Sequence, residues 1–321
     1  MIKSITVTEK SISLRAPFVT ALRSVSAYPV IQVKIEFIDG RIGVGESVAT
    51  PQISGDTHEV ILQQLHSPAV QDLNEISPEV ISKLEIFPSA KAALDMALWN
   101  IEMHPSCSVA TDVTVPIAGL ADLKDIVQER VNAGFNTFKL KVKQDEFSDL
   151  LQRIEIIREV AGQAAKIRID PNQAWSLEYA ILATREIAKS GANIEYLEQP
   201  LPKADLLGHT ALAQECGIPL MADESCFSQA DLEKVVATKA FQYLNVKILK
   251  AGGVVPALQL ANQAMNAGLK ISIGSMMEGV LGIRAAIYLA HQLAPAATHD
   301  LDAAWWFKES PISYLGSIVH S

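Results

Sequence analysis

Five residues able to do chemistry recur along the chain at steps of 29, 28, 25 and 24 residues: Lys141, Asp170, Glu198, Asp223 and Lys247. Each closes a short apolar or β-branched run, as in Thr137-Phe138-Lys139-Leu140-Lys141 and Tyr243-Leu244-Asn245-Val246-Lys247. The steps are about the length of one βα unit, and in a parallel barrel the C-terminal strand ends all open on one side. The spacing therefore gathers the five groups at one mouth. Asp170, Glu198 and Asp223 offer three oxygen ligands with no His or Cys among them, which favours a hard ion that keeps open positions, Mg²⁺ rather than Zn²⁺. That each carboxylate caps the helix after its strand is the plainer alternative, and it suits one such residue better than three on successive strands. Asn172, two residues past Asp170, would either orient a ligand or make a turn.

Lys139 and Lys141 alternate on one strand, so their side chains point the same way. Two close ammonium groups repel, and burial adds to that, lowering the pKa of a lysine toward the range of a base. A surface pair is the alternative, but lysines inside a barrel are costly to bury. Lys247 lies roughly across the mouth. Two lysines facing each other across a metal suit a 1,1-proton transfer, in which one removes an α-proton and the other returns a proton to the opposite face. The ion would neutralise the enediolate formed beside a carboxylate.

The elements that must hold these groups follow from the pattern of the chain. Its 321 residues suffice for an eight-stranded barrel and a smaller appended domain. Alternating segments around Ile5 to Val7, Ile12 to Leu14 and Val30 to Ile38 lead through Asp39-Gly40 into Ile42 to Gly45, a hairpin signal. Helical stretches follow over His58 to Leu65, Pro78 to Leu84 behind a Ser77 cap, and Lys91 to Ile101. Strands first and helices afterwards indicate an α+β unit, 1–112. From about Thr114 strands and helices alternate, with apolar stripes such as Leu150, Ile154, Ile157 and Leu258, Ala261, Met265, and a capping box at Ser228. Lys270 to Ile273 and Thr298 to Leu301 complete eight strands. The expected fold is α/β: a (β/α)7β TIM-like barrel over 113–302, its last helix replaced by a tail, 303–321, that packs near the α+β unit. A doubly wound sheet would need a glycine-rich phosphate loop, and Gly252-Gly253 lacks the spacing.

The net charge of −9 and the absence of a basic run argue against a nucleic-acid partner. No apolar stretch approaches membrane-spanning length, and the start alternates like a strand rather than a leader, so a cytoplasmic protein is expected. Cys107, Cys216 and Cys226 have no Cys-x-x-Cys spacing, which leaves buried or incidental thiols.

The residues resemble the enolase superfamily in its muconate lactonizing enzyme subgroup. The likeness runs through the capping domain, the Lys-x-Lys strand, Asp170-x-Asn172, Glu198-Gln199-Pro200, Ala222-Asp223-Glu224-Ser225, Asn245-Val246-Lys247 with Gly252-Gly253, and Ile273-Gly274-Ser275-Met276-Met277-Glu278. That superfamily uses a Lys or His base beside Mg²⁺. The resemblance implies that Lys141 and Lys247 are the acid/base pair, that Lys139 helps hold a substrate carboxylate, and that Thr114, Asn172, Ser275 and Met276 line the substrate. Asp300-Leu301-Asp302 resembles the Asp-x-Asp of the dipeptide epimerases, where the pair binds the free ammonium of the dipeptide; two alternate carboxylates on one face suit a cation. Pro17-Phe18-Val19-Thr20-Ala21-Leu22-Arg23 resembles the first lid loop of the Ala-Glu epimerases, which makes Arg23 a selectivity residue, and Ile53-Ser54-Gly55-Asp56-Thr57 resembles the second. The implied activity is Mg²⁺-dependent epimerisation of the C-terminal residue of a dipeptide, with L-Ala-L-Glu and L-Ala-D-Glu leading, in murein peptide recycling; o-succinylbenzoate synthase or N-acylamino acid racemase is the alternative. A homo-oligomer is compatible with that family. Departures are the short Trp99 to Thr114 connection with His104-Pro105-Ser106-Cys107, and Gly279-Val280-Leu281 after Glu278. Trp305-Trp306 reads as core.

Overall fold

The structure, a computed structural model, describes residues 1–19, 24–102 and 104–321. Strands β1 (Ile2–Val19), β2 (Ser24–Phe37) and β3 (Ile42–Ser47) form an antiparallel sheet in that order. The two short segments expected near Ile5 and Ile12 are one strand, because β2 is long enough to pair with both: Val7 lies opposite Val33 and Ile12 opposite Tyr28. The hairpin forms as its sequence implies, with Gly40 at φ +87° and Phe37 N–H on Arg41 O. Ile31, Val33, Ile35 and Phe37 alternate onto one buried face, against Ala90, Ala93, Leu94 and Ala97 of the helix Pro88–Trp99. That helix starts at Pro88, ahead of the expected Lys91, since Pro is favoured in a first turn.

β4 (Ser108–Thr111) leads into β5 (Val113–Val115), β6 (Thr137–Lys141), β7 (Lys166–Asp170), β8 (Ile194–Glu198), β9 (Leu220–Ala222), β10 (Tyr243–Lys247) and β11 (Lys270–Gly274). The last seven make one parallel sheet, ordered β11-β10-β9-β8-β7-β6-β5. Phe138 and Leu140 of β6 point outward and are fully buried under helices, while Lys139 and Lys141 point to the other face. Lys141 lies level with Asp170, and Lys139 with Arg168. Helices between the strands bury the stripes expected of them, as with Leu150, Ile154 and Ile157, and Ser228 closes a capping box with Asp231. In the helix Val254–Asn266 the buried stripe is Ala257, Leu260, Ala261 and Ala264, so Leu258 faces outward, unlike the expected pattern.

The eighth strand departs from a continuous eight-strand ladder. β12 (Thr298–His299) pairs with β4, whose other edge pairs with β14 (Ile318–His320), followed by β13 (Ser313–Leu315). Its tie to β11 is a single bridge: Asp300 N–H donates to Ile273 O, and Ser275 N–H to Asp300 O. The backbone leaves the ladder at Asp300 because Ala303–Trp306 turns into a short 3₁₀ helix. The tail also returns to the antiparallel sheet, with Lys308 N–H on Ser13 O and a bridge from Phe307 to Leu14.

The helix Val254–Asn266 follows Gly253 and has no side-chain cap of its own. Asp95, on the helix Pro88–Trp99, supplies one: its Oδ2 accepts from Val254 N–H at 2.6 Å and Val255 N–H at 3.1 Å. At the short junction the His104 ring stacks on Trp99 at 3.7 Å and bonds Trp99 O, beside a cavity of about 320 Å³ lined in part by Tyr288 and Arg284.

Candidate active site

The parallel sheet is rolled far enough for side chains from distant strands to meet. Asn245 of β10 donates to Glu198 Oε1 of β8 at 2.9 Å and to Asp300 Oδ2 at 3.3 Å. Lys139 of β6 stands among Asp170, Glu198 and Asp300, with Nζ at 3.1, 2.8 and 2.8 Å from one oxygen of each. Lys141 Nζ lies 2.5 Å from Asp170 Oδ2 and 3.1 Å from Asn172 Oδ1. Across the mouth Lys247 Nζ lies 2.8 Å from Asp223 Oδ2. β6 and β10 stand four places apart in the sheet, so the two lysines approach from opposite sides.

The strand ends are held in uncommon backbone conformations. Asn172, Gln173 and Gln199 have φ of +46°, +68° and +37°, in the left-handed region that costs a side-chain-bearing residue energy. Asn172 both turns the chain and orients the site: its N–H meets Asp170 Oδ1 and its Nδ2 reaches Glu224 Oε1. Gln199 Oε1 accepts from the N–H groups of Asp223 and Ser225, each at 3.0 Å, locking the end of β9 to the end of β8.

Charge balance separates the carboxyl groups. Burial pushes Glu198 up to about 7, with Asp170, Asp223 and Asp300 adding to the rise against the pull of Lys139. For Asp223 burial is outweighed by Lys247 and Lys250, and for Asp300 by Lys139 and Lys247, so both stay below the usual carboxylate range. Glu224 rises to about 8 through burial and then the charge of Asp223. Lys139 does not follow the expected depression. Burial lowers Lys139 and Lys247, but Asp300, Glu198 and Asp170 around the first, and Asp223 beside the second, more than offset it and hold both above the ordinary value.

The donor set fits a hard divalent cation. Asp170, Glu198 and Asp223 are fully buried, repel one another and offer only oxygen. Glu198 Oε2 has no aligned hydrogen bond, although Lys139 Nζ stands 2.8 Å from it as an ion. Among the described residues no three His, Cys, Asp or Glu side chains converge as a preformed metal cage, because each of these carboxylates is turned toward an ammonium.

The other expected residues divide. Thr114 and Asp302 meet, the Thr114 N–H donating to Asp302 Oδ2 at 2.6 Å, which Trp306 Nε1 also bonds at 3.2 Å. Ser275 is linked to Asp300 through its N–H, and Met276 is buried next to it. Arg23 and most of the first lid segment lie outside the described residues. In the second lid segment Asp56 is buried and bonded by Ser54 and Ser89, and Lys203 Nζ holds Ile53 O at 3.2 Å. Trp306 is core as expected; Trp305 is partly exposed and carries the Arg15 guanidinium at 3.7 Å from its ring centre.

Lys250 escaped sequence reasoning, and Asn245 was seen there only as part of a motif, without a role. Lys250, buried, spends its three donors on Asp223 Oδ1, Asp223 O and Asn245 O at 2.6, 2.6 and 3.0 Å. Asn245 joins Glu198 to Asp300. The available signal was weak: Asn245 alternates inward with Lys247, and Lys250 is a charge in an otherwise apolar segment before Gly252.

Residues 2–106 match the N-terminal domain of the mandelate racemase / muconate lactonizing enzyme family, and residues 122–315 match the enolase C-terminal domain-like family. The chain belongs to the mandelate racemase / muconate lactonizing enzyme family. Within it, the L-Ala-D/L-Glu epimerase of Bacillus subtilis is 31% identical, over 96% of this chain and 91% of its own. The dipeptide epimerase of Enterococcus faecalis V583, solved with Mg and L-Leu-L-Tyr, superposes with a TM-score of 0.89 at 29% identity, covering 99% of this chain and 96% of its own. The N-succinyl Arg/Lys racemase of Bacillus cereus superposes at 0.90 with 27% identity, covering 99% and 92%.

Proposed function

We propose that this member of the mandelate racemase / muconate lactonizing enzyme family is a Mg²⁺-dependent dipeptide epimerase that inverts the α-carbon of the C-terminal residue, with L-Ala-L-Glu and L-Ala-D-Glu as the leading pair. The observation that carries the reading is the placement of Lys141 and Lys247 on opposite sides of one mouth, each against a different carboxylate. The relatives named above as dipeptide epimerases supply the substrate class.

Asp170, Glu198 and Asp223 would hold Mg²⁺, which when bound offsets the negative charge that develops on the substrate carboxylate. With Asp170 and Asp223 engaged by the ion instead of the lysines, Lys141 or Lys247, whichever faces the α-proton, takes it in its neutral form, and the other, charged, delivers a proton to the opposite face. Lys139, already charged and shared by three carboxylates, holds the substrate carboxylate. Asp300 and Asp302 hold the ammonium, and Thr114, Asn172, Ser275 and Met276 line the substrate. Arg23 is kept as a selectivity residue. The capping unit is taken as 1–112 and the catalytic unit as 113–302. The bridge at Gly274 and Asp300 supports closure of the rolled sheet into a (β/α)7β barrel, and the tail, 303–321, packs on both units. A cytoplasmic role in recycling murein peptides suits three free thiols and an Ala-Glu substrate.

A second reading, N-acylamino acid racemase or o-succinylbenzoate synthase, is favoured by one contact. Asp302 already serves Thr114 and Trp306, an occupation that needs no ammonium. Proton NMR in D₂O with Mg²⁺ and L-Ala-L-Glu decides between them. The glutamate α-proton should vanish as the L-Ala-D-Glu diastereomer appears. Inert dipeptides and an exchanging N-succinyl amino acid would move the assignment to the second reading.

A further inference from the structure

The segment that carries Ser275 and Met276 is anchored at both ends. At its start Ser275 N–H donates to Asp300 O, and Glu278 Oε1 then accepts from Met276 N–H at 3.0 Å. At its far end the helix Val280–Leu293 begins after Gly279, with no side-chain cap of its own. Its open N–H groups are met from the antiparallel sheet. Glu46 of β3, 2% exposed, accepts from Gly282 N–H at 2.8 Å and bonds Leu281 N–H as well, while Gln32 of β2 bonds the same carboxyl. A helix start has unsatisfied N–H groups and a positive dipole end, so a carboxyl group there makes a strong contact.

The fit at this contact is close. A Cβ on Gly279 would stand 2.5 and 2.6 Å from the two Glu46 oxygens, although the backbone there, at φ −77° and ψ −171°, suits any residue. Glu46, and not the backbone conformation, requires the glycine. This accounts for the glycine at the head of Gly279-Val280-Leu281.

We propose that Glu46 is a positioning residue for the reaction: from the capping sheet it fixes the Ser275 to Glu278 segment against the substrate, so that the pocket is complete only while the two units are docked. The proposal rests on the dipeptide-epimerase reading for the substrate, but not for the contact. The test combines steady-state epimerisation of L-Ala-L-Glu with amide hydrogen exchange of residues 274–284, in Glu46→Ala, Glu46→Gln, Gly279→Ala and the double variant Glu46→Ala/Gly279→Ala. Glu46→Ala and Gly279→Ala should each raise KM about tenfold, keep kcat within about threefold and speed exchange in the segment, as loss of charge-assisted hydrogen bonds to a binding loop requires. Glu46→Gln, which keeps an acceptor toward Gly282, should stay within about threefold of the parent KM. The double variant should add little to either single change, since both remove one contact. A lower melting temperature with unchanged KM, or additive effects, would overturn the proposal. Should Glu46→Ala not fold, Gly279→Ala carries the test alone. If the unaltered protein turns over no dipeptide, the functional reading fails separately, and unchanged exchange in the variants would then dismiss the contact as well.

Discussion

At the scale of single residues the chemistry depends on which groups are ionised and what they face. Replacing Lys141 or Lys247 by Ala should slow epimerisation by at least about a thousandfold, the usual scale for a lost general acid or base. Each single-base variant should still exchange the α-proton of one diastereomer into D₂O without inverting it, and NMR of the two separate diastereomers reads this; retained inversion in either variant would remove the two-base assignment. The five strand-end groups were legible because each falls at the close of an apolar run, one per βα unit. The ionisation of the lysines was not. Their surroundings come from far along the chain, as with Asp300, 161 residues beyond Lys139. His299 is a second residue whose role only the structure shows. Its Nδ1 accepts from Ile273 N–H and its Nε2 contacts Ala294 O, each at 3.0 Å, and burial pushes it down to about 4. The unfolded chain takes up that proton first, so its contribution is complete above pH ~6.5 and falls by roughly 3 kcal/mol as pH drops through about 4. Burial pushes Glu46 and Glu278 up to about 7 and about 8, and they pull the opposite way between their unfolded values and those pH values. The measurement is therefore the difference in stability-against-pH slope between the parent and His299→Gln.

At the scale of elements, helix starts decide much of the geometry. Ser77 and Ser228 cap their own helices with the hydroxyl that the sequence places there, and those starts could be read directly. The helices after Gly253 and Gly279 could not, because their caps come from Asp95 and Glu46, far away in sequence. Gly253 sits at φ +147°, and a Cβ there would run into the Asp95 carboxyl. Gly253→Ala should therefore cost roughly 2 kcal/mol or more, combining backbone strain with a displaced cap. Urea unfolding of the variant measures it, and a loss below about 0.5 kcal/mol would show that the cap is not stabilising. The joining of Ile5 and Ile12 into one strand was likewise set by the partner: β1 alone carries no sign of how far β2 extends.

At the scale of the whole molecule, the mutual repulsion of Asp170, Glu198 and Asp223 would couple an ion held between them to the fold. Mg²⁺ at a hundred times its dissociation constant should add about 2.7 kcal/mol of stability if it binds only the folded chain. Thermal melts with EDTA and with graded Mg²⁺ should show the melting temperature rising with the ion, and α-proton exchange should stop with the chelator. A melting temperature indifferent to Mg²⁺ would count against the three-carboxylate site. The overall division into a hairpin-led unit and a βα repeat was legible from periodicity, which is local. The sharing of β4 between β12 and β14 was not, since two-residue and three-residue strands leave no pattern of their own.

The tail strands bear on how this chain can be handled. Ser321 N–H reaches Cys107 O, Thr111 N–H reaches Ser317 O, and the Ser321 side chain bonds Cys107 N–H across 214 residues. β4 thus borrows one of its two edges from residues near the end of this sequence. A chain trimmed after Ile312 would leave a bare strand edge at the junction of the two units, a template for pairing with other molecules. Its failure would be aggregation during expression, while every residue of the candidate active site was still present.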